Sequence, residues 1–176
     1  MYYGLNLFRQ SAYNRENAVN YAVKYALTPN PQYRYFPLVN DTSGDCANFV
    51  SQCLKAGGAL MSHAPESIWW CNNNTWSVSW AVAHSLYWYL KTNKSIYTGT
   101  PRGLEVNDLN DLESGDVVFY ENYKGIIFHS AIITSFININ EVREPLISQH
   151  SLEEMDIRYT KNYAYKRVHF LKISVV

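Results

Sequence analysis

An α+β domain is the fold class this sequence predicts, on three observations. Apolar residues recur at helical spacing only in the first half of the chain, up to "SWAVAHSLYWYLKTN". From residue 115 onward, "DVVFY", "GIIFHSAIIT", "EPLISQHS" and "KRVHFLKISVV" are rich in β-branched and aromatic residues, and turn signals separate them. Helices followed by consecutive strands place N-terminal helices on a C-terminal antiparallel β-sheet. A chain of 176 residues suits one core, so residues 1–176 are expected to form a single domain.

The first helix is predicted in "YNRENAVNYAVKYAL". Ala18, Val19, Ala22, Val23 and Ala26 share a face there, Asn14 can cap the start, and "TPNP" stops the run. Phe49, Val50, Cys53 and Leu54 predict a second helix from about Cys46, ended by Gly57 and Gly58. "SIWWCNNNTWSV" is too rich in asparagine for a regular element and reads as a loop. The next stretch predicts one helix with Trp80, Ala83, Tyr87 and Leu90 on one side. Among the strands, a hairpin around "SFININEVRE" sets His129 and His150 on adjacent strands.

Fifteen basic and fifteen acidic residues cancel without long blocks of either sign, which argues against nucleic acid or anionic lipid as partners. No apolar run approaches the roughly 20 residues of a membrane span. The opening "MYYGLNLFRQSAYNRE" lacks the basic-then-apolar order of a leader, so no secretion signal is expected in this chain. Three cysteines do not make a disulfide framework. Cys46 and Cys53, two helical turns apart, would have Cα atoms about 10 Å from each other, too far to bridge. Cys53 is expected in the core, and Cys71 has no evident partner.

Cys46 carries the chemistry. At a helix start, unpaired N–H groups and the positive end of the helix dipole favour thiolate over thiol, and the same N–H groups can receive an oxyanion. His129, at a strand start, can serve as base, and nucleophilic catalysis needs a third polar group to orient it. Asp116 in the "SGD" turn is a rival for that role, although turn chemistry explains it more simply. Asp45 is either the helix cap or part of the site. Trp69, Trp70, Trp76 and Trp80 either pack beneath the site or line a groove, and Asp45, Trp70 and Trp80 are the substrate-binding candidates. His63, His84 and His169 read as structural. A zinc site of Cys46, His129 and His150 is a rival from another class, but no CxxC pair or HExxH helix supports it, and no metal is expected. A binding module that has lost its chemistry would not require both Cys46 and His129.

Taken together, "YNRENAVNYAVKYALTPNPQY", "GDCANFVSQCLKAGG", "WWCNNNTWSVSW" and "SGDVVFY" followed by "HSAIIT" resemble the putative amidase domain family of bacterial papain-like cysteine hydrolases, relatives of NlpC-type and CHAP domains. The resemblance covers most of the chain. It implies a papain-like fold, Cys46 as nucleophile, His129 as base and His150 at the position of the third polar residue. Ala47 stands where the family commonly has threonine. The implied activity is cysteine-dependent cleavage of an amide through a thioester, without a cofactor, in peptides or peptidoglycan-derived substrates. Acyl transfer by the same route is the enzymatic alternative, and an extracellular or wall-associated setting is implied.

Overall fold

The computed structural model describes residues 13–39, 43–94, 99–160 and 164–175. Residues 1–12, where a leader would begin, and Asp41 and Thr42 of the cysteine motif lie outside them. Helix α1 (Arg15–Tyr25) begins as expected, with the Asn14 side chain accepting the Asn17 N–H at 2.9 Å. Ala18, Ala22 and Ala26 are fully buried, because side chains this small let α1 lie against α2 (Cys46–Ala56).

Helix α2 is enclosed, with every residue from Cys46 to Leu54 buried. Its apolar side chains feed the core, where Phe49 alone contributes about 2–3 kcal/mol. Its polar side chains are each bonded, as burial requires. Asn48 Nδ2 donates to the Arg34 carbonyl and Asn48 Oδ1 accepts from Trp80 Nε1 at 2.7 Å. Ser51 Oγ donates to the Trp80 carbonyl, and Gln52 Oε1 accepts the Tyr21 hydroxyl.

The stretch expected to be an irregular loop contains a small hairpin, β1 (Cys71–Asn72) with β2 (Thr75–Trp76). The single helix expected after it is two, α3 (Val78–Ala81) and α4 (Ala83–Thr92). Val82 breaks them with extended dihedrals (φ −117°, ψ 122°), which suit a β-branched residue and free the Trp80 carbonyl to accept Ser51.

The main sheet comprises β3 (Pro101–Val106), β4 (Val117–Glu121), β5 (Ile127–Ile139), β6 (Val142–Gln149), β7 (Glu154–Arg158) and β8 (Arg167–Val175). Its order is β3-β8-β4-β5-β6-β7 and every pairing is antiparallel. The fold is therefore mixed α+β, with one strand earlier than expected. β3 reads "PRGLEV", whose proline and glycine suit an edge strand and weaken its sequence signal. Asn140 and Glu141, both at positive φ (49° and 67°), turn β5 into β6 and supply the hairpin expected there.

Val117, Phe119, Ile132 and Leu171 face the helices, while Val118, Tyr120, Ala131, Ile133 and Ile147 form a second cluster. Asp116 pins the start of β4, accepting from Arg15 Nη1 at 2.6 Å, from the Glu113 N–H at 2.8 Å and from the Ile173 N–H at 2.9 Å. Those bonds give Asp116 a structural place. Among the described residues no helix is long and apolar enough to cross a membrane.

Candidate active site

The site lies where β5 and β6 part. Ile133 exchanges backbone hydrogen bonds with Gly115 and Asp116 on the β4 side. By the alternation of an antiparallel ladder, Ser130 and Ile132 turn their N–H and C=O groups the other way, toward β6. Ile132 meets Ser148 in the last pair of the β5–β6 ladder, and Gln149 beyond it pairs only with Glu154 of β7. The Ser130 N–H therefore faces an edge with no strand beside it, and the Cys46 sulfur at the start of α2 takes its place as hydrogen-bond partner.

Cys46 is 7% exposed and His129 is 5% exposed, so both side chains are buried. Two surface hollows lie elsewhere among the described residues, one along Asn107–Asn110 and Glu141–Arg143 and one around His169. Burial alone would push the Cys46 thiol up. The charge of His129, its hydrogen bond to the sulfur, and the backbone and hydroxyl of Ser130 outweigh burial and bring the thiol below its ordinary value. Burial likewise opposes a charged His129, yet the Cys46 sulfur and the hydrogen bond that His129 donates to Gln149 raise it overall. Both directions favour a thiolate–imidazolium pair. Cys53, by contrast, is pushed well up by burial, and Cys71 is also raised by burial.

Gln149 is the residue that sequence reasoning missed. Its Oε1 lies 2.9 Å from His129 Nε2, while its Nε2 donates to Glu154 Oε2 at 3.0 Å. An amide whose NH₂ faces a carboxylate must present its oxygen on the other side, so His129 carries its proton on Nε2 toward Gln149. That leaves Nδ1 for the sulfur. The signal was strand parity, since Ile147 and Gln149 share a side of β6 that meets Ile133 across the ladder. His129 has the same parity as Ile133 on β5. His150, one residue on, points away.

The expectation that His150 supports His129 is corrected by its bonds. His150 Nδ1 lies 2.5 Å from Asp45 Oδ2, and His150 Nε2 donates to the Tyr25 carbonyl at 2.8 Å. Its ring also stacks on Phe49, with centroids 4.0 Å apart. Both nitrogens are thus committed, and His150 ties the end of β6 to α1 and α2.

Asp45 is corrected with it. Asp45 is 1% exposed and accepts from the Phe36 N–H, from Asn48 Nδ2 and from His150, which leaves no face for a substrate. Nor does its side chain cap the helix backbone. Ser151 does that from the far end of the chain, its Oγ accepting the Asp45 N–H at 2.7 Å and the Cys46 N–H at 3.2 Å. Ser151 and Leu152 hold positive φ (69° and 145°), a strained turn that aims this hydroxyl at α2. Gly44 leaves the room for it, because a Cβ there would strike Ser151.

Trp80 is fully buried with its ring nitrogen bonded to Asn48, so it packs beneath the site and cannot line a groove. Trp69 is buried too, its Nε1 donating to Ser51 Oγ. Trp70 is partly exposed and stacks on His63. The zinc triad of Cys46, His129 and His150 does not converge, because His150 is bound elsewhere. Among the described residues no group of three or more His, Cys, Asp or Glu side chains is arranged to hold a metal ion.

Comparison with known proteins gives the family of the chain. Residues 12–172 match the family described as "Putative amidase domain". The chain is 38% identical over 130 residues to the uncharacterized protein YhbB of Bacillus subtilis (strain 168), covering 72% of this chain and 39% of that protein. It is 30% identical over 154 residues to the uncharacterized protein YjcM of the same organism, covering 82% of this chain and 32% of that one. The chain thus spans 39% and 32% of the length of these two relatives. No solved structure matches it. With a family match over nearly its whole length, the chain belongs to the putative amidase domain family.

Proposed function

We propose that the chain is a cysteine-dependent amide hydrolase, working as one domain of papain-like type, with Cys46 as nucleophile, His129 as general base and acid, and Gln149 as the residue orienting His129. The observation that carries this reading is the alignment of Cys46, His129 and Gln149 at the parted strands, with both pKa directions favouring the ion pair.

In the reaction the Cys46 thiolate adds to the amide carbonyl and forms a C–S bond. The developing oxyanion draws on the Cys46 N–H, whose 3.2 Å bond to Ser151 is long enough to exchange. The C–N bond then breaks as His129 gives its proton to the leaving amine, leaving a thioester. Water, deprotonated by His129, releases the acid and restores the thiol. No step calls on a cofactor.

The substrate class proposed is peptide amides of peptidoglycan, on the resemblance to wall-active cysteine hydrolases, with Trp70 as a candidate substrate contact. The test is incubation with purified peptidoglycan and muropeptides, followed by mass spectrometry, with Cys46→Ser as control. A new amine and carboxylate pair, absent with Cys46→Ser, is the expected result. Cleavage that survives Cys46→Ser would remove the mechanism, and an intact muropeptide set alongside hydrolysis of other peptide amides would remove only the substrate class.

A further inference from the structure

Ser130 is completely buried, yet among the described residues its hydroxyl makes no hydrogen bond of normal geometry, although it lies near enough to the Cys46 sulfur to favour the thiolate. Buried hydroxyls are normally paired, and leaving one unpaired costs about 1–3 kcal/mol, so an exception at a reactive centre calls for an explanation. The strand geometry supplies one. Ser130 pairs with Phe119 across β4 and, with Ile132, points its side chain to the helix-facing side of the sheet. Helix α2 packs on β5 on that side, with Cys46 as its first residue. The Ser130 backbone N–H faces the same point, along the edge that β6 has left.

We propose that the Ser130 hydroxyl is a dedicated donor to the Cys46 sulfur, held without a competing partner so that its proton is offered when the sulfur is charged. The inference rests on the assignment of Cys46 as nucleophile. A neutral thiol makes a poor acceptor, which accounts for a hydroxyl that lacks a well-aligned bond while still favouring the thiolate electrostatically. With His129 on one side and the Ser130 N–H and hydroxyl on the other, the sulfur is a charged atom in a low-dielectric cleft with several donors aimed at it. Bonds of this charge-assisted kind are about twice as strong as neutral ones. When the thioester forms, sulfur loses its charge and these donors lose their acceptor, so they favour sulfur as a leaving group when water attacks.

The test is the pH dependence of Cys46 alkylation by iodoacetamide, read by peptide mass spectrometry in the wild type, Ser130→Ala and Ser130→Thr, with thermal unfolding measured alongside. In Ser130→Ala the midpoint for Cys46 should rise by about one pH unit, a roughly tenfold fall in thiolate fraction on the acid side. Thermal stability should be equal or higher, because an unpartnered hydroxyl has been removed. Ser130→Thr, which keeps the hydroxyl, should restore the wild-type midpoint. An unmoved midpoint in folded Ser130→Ala overturns the donor role while leaving Cys46 as nucleophile. A wild-type Cys46 that titrates no lower than an ordinary thiol overturns the nucleophile assignment, and the Ser130 role with it.

Discussion

Gln149 and His150 are adjacent in the chain and serve different partners. Gln149 Oε1 sits 2.9 Å from His129 Nε2, and His150 Nδ1 sits 2.5 Å from Asp45 Oδ2. One holds the base of the proposed reaction and the other holds the fold, and substitutions should separate the two effects.

Gln149→Ala removes the acceptor that fixes the tautomer and tilt of His129. Steady-state kinetics on a validated substrate should show kcat lowered by on the order of 10- to 1000-fold, with KM much less affected. Unchanged kcat would return the orienting role to another group.

His150→Ala and Asp45→Ala each strip one partner from a buried, hydrogen-bonded pair. Denaturant unfolding should show a loss of roughly 1–3 kcal/mol for each buried group left unpaired. The kcat per folded molecule, counted by active-site titration of the thiol, should be nearly unchanged. A large fall in kcat without loss of stability would place His150 in the chemistry after all.

The pH profile follows from the two directions found at the site. The Cys46 pKa is lowered, so thiolate appears as pH rises through a value below that of a free thiol, and the rate rises with it. The His129 pKa is raised, so the proton needed by the leaving amine is lost only as pH rises through a value above that of free histidine, and the rate falls there. Initial rates across pH should trace a bell between these two limits. In His129→Ala the rise of Cys46 alkylation should move to higher pH, since burial then acts on the thiol with no cation opposing it.

Cys46→Ser and His129→Ala should each abolish turnover, and the double variant should be little worse than either, because nucleophile and base act as one unit. Kinetics of the three variants check this. Losses that multiply would mean that the two side chains act independently.

Much of this arrangement was legible in the sequence because it is local. Asn14 before an apolar repeat and Gly57 after one bound helices by backbone chemistry alone, and a cysteine opening a helix advertises its own electrostatics. His129 could be placed at a strand start by the same means. Strand parity separates Gln149 from His150 only once the register of β6 on β5 is known, and the bulge between Ile133 and Ser135 shifts that register. Trp80 and Asp45 were misread for a related reason. Whether an aromatic ring or a carboxylate faces a groove or a neighbouring loop depends on Asn48, Phe36 and His150, which only the folded chain brings near. β3 escaped notice because its pairing with β8 at the sheet edge tolerates a sequence with little strand character.

The parting of β5 from β6 also sets when Cys46 becomes reactive. During synthesis Cys46 emerges long before His129, Ser130 or Gln149, and as a bare thiol it has an ordinary pKa of about 8.5. The start of α2 favours the thiolate only in part, because the opposing cation and the Ser130 donors all arrive with the C-terminal strands. Reactivity is thus a property of the finished tertiary structure: the nascent chain carries a latent sulfhydryl, and closure of the sheet around it is what arms the nucleophile.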